Sequence, residues 1–459
     1  MLVIISDLHL TDGTSGRTIK AAAFKAFRER VRDLAYDASW RQDGKYRPIE
    51  ALDILLLGDI LDVIRSDTWL EGKVRPWDKY SNQAFQNRVA AINKAILRNN
   101  ADCLGVLKSL HAPNVMTIPR ATDGKPAKVG HDPDAEGRVP VKVGIHYMVG
   151  NHDWFYHCPG GAFNTIRKAV VRAAGLANKP SEPFPHDPLE SPAIEQLLQD
   201  HRVFARHGDI YDPFNFELDR DASSLGDAIV IELLNRFPGV VKEQLGKELP
   251  PEVLTGLCEI DNVRPLLLVP AWLNGLLKRL CPDPQLVKKV KKLWDGVASD
   301  FLKLPFVRKR DKFFNFNDLV DQLECALLFS KGLSLGRLSS LLNWWNERTA
   351  GGEKSFREHA MAERAFKNRT AEFVVYGHTH RHEIVPLDVY YGTRGEIKQL
   401  YVNSGTWRCV HELAQFSPRD EEFVESYVLT FLAFFKDDER GGRKYEFWSG
   451  TLGTEPLGA

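Results

Sequence analysis

The chain is 459 residues long, with 43% hydrophobic and 27% charged side chains. That balance supports a large buried core and excludes collagen-like, low-complexity and wholly disordered classes. Lys plus Arg and Asp plus Glu both total 61, so the net field selects no polyanionic partner.

Apolar, β-branched runs recur along the chain, and each ends in a polar cluster. Residues 2–6 lead to Asp7-Leu8-His9. The opening decapeptide lacks a basic stretch and a small-residue cleavage site, so it reads as a first strand rather than a secretion signal. No transmembrane segment and a cytoplasmic location are expected. A helix is predicted over 18–37, with Ala22, Phe24, Phe27, Val31 and Leu34 on one face. The run Ala51–Leu57 leads to Gly58-Asp59 and then Asp62. A second helix is predicted over 84–110, and 111–140 reads as a long loop or an elaborated hairpin. Residues 141–149 run into Gly150-Asn151-His152-Asp153. Residues 176–193 hold five prolines and read as irregular connection.

The run 202–206 leads to His207-Gly208-Asp209. The strand rhythm then stops, and 211–370 reads as a mainly helical insertion of about a domain's length, with helices expected at 223–236, 286–302, 317–331 and 335–348. The rhythm returns at 372–376, which lead to Gly377-His378-Thr379-His380, and at 399–402, which lead to Asn403 and on to Trp407. Residues 425–435 and 444–448 are expected to close the fold as a β-hairpin. The six cysteines (Cys103, Cys158, Cys258, Cys281, Cys325, Cys409) contain no CxxC pair. Reduced thiols are expected, not a zinc finger or a disulfide framework.

Ligand sites in α/β sheets lie beyond the carboxyl ends of strands. Taken singly, an Asp, an Asn or a His at a strand end is ordinary turn chemistry. Together, Asp7, His9, Asp59, Asn151, His207, His378 and His380 form a carboxylate, imidazole and amide set without a thiolate. Such a set suits Mn, Fe, Zn, Co or Ni. Seven ligands exceed one tetrahedral site and suit two ions sharing a carboxylate, an arrangement that activates water and clamps both oxygens of a displacement at phosphorus.

The order of these motifs resembles the calcineurin-like metallophosphoesterases: D7-L-H9, G58-D-I-L-D62, G150-N-H-D153, H207 and G377-H-T-H380. The resemblance implies an α/β fold, a two-sheet αββα sandwich, with catalytic residues 1–210 and 371–459 and the 211–370 segment as a cap. It implies that Asp7, His9, Asp59 and His380 bind one divalent ion. Asp59, Asn151, His207 and His378 then bind a second, the pair being Mn or Fe/Zn. His152 is implied as a catalytic residue facing the scissile phosphate, oriented by Asp153, with Asp62 and Asn403 behind the ligands. The implied activity is hydrolysis of phosphate mono- or diesters by metal-bound hydroxide. A nuclease or nucleotide-pyrophosphate hydrolase is the alternative, with a nucleotide or nucleic acid as partner, and a non-catalytic binding scaffold is the rival outside enzymes. Within the insertion, Arg308, Lys309 and Arg310 are candidate substrate contacts. The apolar residues 266–277 read as a buried helix interrupted by Pro270, or as a surface for a membrane or an acyl chain.

Overall fold

The computed structural model describes residues 1–16, 18–130, 132, 134–311, 319–328, 355–392, 395–414 and 422–450. It is a mixed α/β molecule with several sheets. The parallel strands Leu2–Ile5, Ala51–Leu57 and Lys142–Met148 form one side of a five-stranded sheet, completed by antiparallel Leu429–Phe434 and Tyr445–Gly450. A second sheet holds parallel Val203–Ala205, Phe373–Tyr376 and Gly395–Asn403, edged by antiparallel Glu383–Gly392.

Side-chain alternation sorts these strands into layers. Leu2, Ile4, Leu55, Leu57 and Met148 of the first sheet pack against Val203, Ala205, Phe373, Val375 and Val402 of the second. Val3, Ile5, Ile54 and Leu56 face the opposite way, into a core with Phe24, Phe27 and Val31 of helix Ala21–Ala38. The outer face of the second sheet buries Val374, Tyr376 and Tyr401 with Ala360 and Phe366 of two short helices. Both sheets are therefore covered on both faces, which is why their central strands read as unbroken apolar runs.

Several expected elements take a different form. The helix expected over 84–110 is two helices, Gln83–Asn99 and Ala101–Ser109. Asn100 breaks it, its side-chain amide donating to the carbonyls of Thr11 (2.7 Å) and Ile96 (2.8 Å). The helix expected at 223–236 starts at Leu225 under a Ser224–Asp227 capping box and passes through a π-helical turn, Val230–Asn235, into Arg236–Leu245. The run 425–435 is divided between sheets: Phe423–Tyr427 pairs with Cys409–Leu413, while Leu429–Phe434 pairs with Leu2–Ile5 and Tyr445–Gly450. Pro270 begins the helix Val269–Leu280 instead of interrupting it, as its missing N–H allows at a first turn. Of the helices expected at 317–331 and 335–348, Leu319–Leu327 is observed, and 335–348 lies outside the described residues.

Among the described residues, the helices of 211–370 have no core apart from the rest. Leu233, Phe237, Leu273, Trp294 and Phe301 belong to the same cluster as Val3, Phe27 and Ile92. Trp77 stacks on Phe306 at 4.5 Å, and Arg75 pairs with Glu232 at 2.5 Å. Among the described residues no helix is long and apolar enough to cross a membrane.

Leu55 has no exposure and lies between the two sheets. Leu55→Ala should lower stability by about 2–5 kcal/mol, read from the denaturant midpoint. An unchanged midpoint would show that this layer is not a shared core.

Candidate metal centre

The parallel strands of both sheets end on the same side, and the loops that follow bring the predicted residues together. Five of these residues adopt left-handed backbone: Asp7 (φ 54°), His9 (45°), Asp59 (55°), His378 (69°) and His380 (61°). Non-glycine residues seldom sit there, and such strain concentrates at functional sites. Two glycines make the convergence possible. A Cβ on Gly58 (φ 84°) would lie 2.5 Å from the His207 ring and 2.9 Å from Gly150 N, and one on Gly150 would meet Asp59 and His207.

Three histidines are held from behind, each by a different acceptor. His9 Nδ1 bonds Asp62 Oδ2 at 2.7 Å, His207 Nδ1 bonds Leu57 O at 2.9 Å, and His378 Nε2 bonds Asp212 Oδ2 at 2.9 Å. With that N–H spent, the other ring nitrogen of each presents a lone pair inward. His9 Nε2 lies 3.9 Å from Asp7 Oδ1 and 3.7 Å from Asp59 Oδ2. His207 Nε2 lies 3.2 Å from Asp59 Oδ2, and His378 Nδ1 lies 3.0 Å from Asn151 Oδ1. Asp7 Oδ1 and His207 Nε2 are buried without a hydrogen-bond partner. Converging acceptors of this kind could hold a cation.

Three overlapping groups close enough to hold a metal ion result: Asp7 with His9 and His380, His9 with Asp59 and His152, and Asp59 with His207 and His378. His380 Nε2 is 3.4 Å from Asp7 Oδ1 and 2.9 Å from His9 Nε2. Its Nδ1 faces Arg264 Nη2 at 3.1 Å. In that contact Nδ1 accepts, so the ring hydrogen sits on Nε2, at the place a ligated cation would take. Were His380 to hold a cation through Nε2, its hydrogen would move to Nδ1 and the bond to Arg264 would be lost.

The electrostatics agree with a missing positive charge. Burial, reinforced by the Asp59 carboxylate, pushes Asp7 up to about 6 against the pull of His207. Burial drives His9 down to about 4 despite Asp62. At His207 burial also acts downward, yet Asp59 and Asp7 outweigh it and hold the ring well above its ordinary value. A proton there does part of what a metal ion does.

One expected role changes. Asp153 makes no hydrogen bond to the His152 ring. Its Oδ2 accepts from Ile60 N (2.9 Å) and the Tyr147 hydroxyl (2.6 Å), and its Oδ1 from Gly150 N (2.6 Å). It ties the two ligand loops together. The carboxylate on His152 is Asp62, whose Oδ1 lies 2.9 Å from His152 Nδ1. Adjacent residues in a turn point different ways, so the neighbour in sequence is not the neighbour in space. Asn403 lies behind the ligands, donating to Gly377 O at 2.7 Å.

Sequence reasoning missed Asp212, and it assigned the wrong cations. Arg308 pairs with Asp311, and Arg310 with Glu217, and neither they nor Lys309 line the cavity over the centre. Arg264 and Arg408 do. The signal for Arg264 was a lone charge placed just before an apolar run. Two further groups could also hold an ion, His157–His186–Asp221 and Glu259–Cys409–His411. No protein-family model matches the chain, and a search of curated proteins gives no match.

Asp59 contacts residues of all three groups. Asp59→Asn should therefore reduce bound Mn, measured by elemental analysis after desalting, more than Asp7→Asn or His378→Ala. Equal or smaller loss would refute a shared carboxylate.

Proposed function

We propose that the chain is a metal-dependent phosphoesterase of the calcineurin-like metallophosphoesterase type, hydrolysing phosphate mono- or diesters. The observation that carries this reading is the inward convergence of ring lone pairs from His9, His207 and His378 with Asp7, Asp59 and Asn151. The two stacked sheets with helices on their outer faces support the αββα assignment.

In this reading Asp7, His9, Asp59 and His380 hold one divalent ion, and Asp59, Asn151, His207 and His378 hold the other. Manganese or an iron–zinc pair suits such donors. When bound, the ions supply Lewis acidity and a more acidic water. The protein's own groups do the rest. Asp62 accepts from His9 and His152 together, so it orients a ligand and a proton donor with one carboxylate. Burial acts downward on His152, but Asp62 and Asp59 outweigh it and raise the ring to about 9, so Nδ1 donates to Asp62 while Nε2 holds a second proton at the cavity floor. Arg264 and Arg408 on the wall suit non-bridging phosphate oxygens. Water adds its oxygen to phosphorus, the ester P–O bond breaks, His152 gives its Nε2 proton to the departing oxygen, and the proton shed by the water returns to the imidazole through solvent. Residues 1–210 and 371–459 carry this chemistry, with Arg264 contributed by the 211–370 cap.

Mn-loaded protein should hold two ions per chain and turn over p-nitrophenyl phosphate or bis-p-nitrophenyl phosphate. Failure on both esters, or a single ion, would overturn the reading.

His152→Ala should keep both ions yet slow poor-leaving-group esters by roughly a hundredfold. Esters of p-nitrophenol, which need little protonation, should suffer less. Metal loss in this variant would mean that His152 is a ligand.

A further inference from the structure

One cavity of about 630 Å³ has the candidate centre as its floor, lined there by Asp59, Asn151, His152, His378 and His380. That volume lies within the range of small-ligand sites. Among the described residues, one wall is aliphatic: Ile229, Leu233, Leu234, Leu267, Leu323 and Leu327. These six come from three separate elements of the 211–370 segment, namely the turns around Val230–Asn235, the short helix Leu266–Leu268 and the helix Leu319–Leu327.

The helix that supplies four of the lining residues, Ile229, Val230, Leu233 and Leu234, keeps its polar groups elsewhere. Glu232 pairs with Arg75 (2.5 Å) and Arg236 (2.8 Å), and the Asn235 amide donates to Ile64 O at 3.3 Å. The π-helical turn adds a residue per turn and so re-aims successive side chains, a feature found often at functional sites. The aliphatic wall also begins beside the centre. Arg264 touches His380, and Leu266 and Leu267 on the wall follow it by two and three residues.

We propose that the substrate is an amphiphile, a phosphate ester whose non-reacting end is an aliphatic chain seated on this leucine-rich wall. The proposal rests on the phosphoesterase reading and narrows it. The six aliphatic side chains offer no donor or acceptor, so a nucleobase or sugar held against them would leave its polar groups unpaired there. An alkyl chain that displaces water from them leaves no polar group unpaired. The arginines at the cavity wall match the anionic end of the same molecule.

The test is a chain-length series on the full, Mn-loaded protein. Unhydrolysable n-alkylphosphonates from ethyl to decyl, kept below their micelle concentrations, are titrated by calorimetry. Affinity should rise roughly fourfold per methylene until the wall is covered, the factor that about 0.8 kcal/mol per buried CH₂ gives. In Leu267→Trp and Leu323→Trp, checked for fold by circular dichroism, the rise should stop at a shorter chain. Binding that is the same for ethyl and decyl in the unaltered protein overturns the amphiphile proposal, whatever the variants do. Turnover of the two p-nitrophenyl esters is measured in parallel. Chain-length-dependent binding without any turnover overturns the phosphoesterase reading and with it this assignment of substrate. Turnover without chain-length dependence overturns only the aliphatic tail.

Discussion

Asp62 has no solvent exposure and holds two imidazoles at once, His9 through Nδ1 at 2.7 Å and His152 through Nδ1 at 2.9 Å. Its Oδ1 also accepts from Arg65 N at 2.9 Å. Burial by itself raises a carboxyl group, but the two rings outweigh it and keep Asp62 well below the ordinary carboxylate range. An anion with two ring N–H donors fixes the tautomer of both rings. His9 then turns a bare Nε2 toward the same space as Asp7 and Asp59, and His152, whose raised value favours the imidazolium, turns a protonated Nε2 toward the cavity. Leu57 O and Asp212 impose the same choice on His207 and His378. The inward face of the centre is thus composed of acceptors because its outward face has used the donors.

That logic explains what could be read from the chain. A ligand at the end of a parallel strand needs a sharp, local reversal, and the reversal needs Gly58, Gly150 and left-handed positions at Asp7, His9, Asp59, His378 and His380. These requirements act within a few residues, so they leave a motif. The orienting groups act across the fold and leave none. Asp212 follows His207 by five residues yet bonds His378, and Asp62 serves His152 although Asp153 adjoins it. Strand limits were legible where both faces are buried. The edge strand Glu383–Gly392 carries Pro386 and alternates exposed with half-buried residues, so its apolar signal is weak. The strand Cys409–Leu413 belongs to a small sheet whose third member, Val263–Arg264, comes from the insertion, a pairing no local pattern announces.

The inserted segment is bound to the centre by charge as well as by its shared apolar core. Asp261 accepts Arg65 (2.7 Å) and Arg408 (3.2 Å), one from the loop after Ala51–Leu57 and one from the return after Asn403. Burial would raise Asp261, yet Arg65 and Arg408 hold it down at about 2. Removing one partner from such a contact strands the others in a low-dielectric site, so the contact resists hinge motion. The apolar wall and the ligand loops accordingly belong to one packed body, and a linker in place of the segment would uncover the face of Trp77 that stacks on Phe306.

Two opposite imbalances meet at a single contact. On one side, Arg65, Arg264 and Arg408 gather around Asp261, so the guanidinium groups outnumber the carboxylate that serves them. On the other, Asp7, Asp59, Asn151 and three imidazoles aim acceptors at a space that holds no donor for Asp7 Oδ1 or His207 Nε2. The Arg264–His380 bond at 3.1 Å joins the two regions. It relieves each only in part, because it spends one donor and one ring nitrogen. A cation held through His380 Nε2 would take that nitrogen from Arg264 and leave the guanidinium with the carbonyls of Asp261 and Val263. An anion in the cavity would then suit the freed Nη2. In the phosphoesterase reading, metal binding and phosphate-ester binding would therefore be coupled through the tautomer of one imidazole, His380.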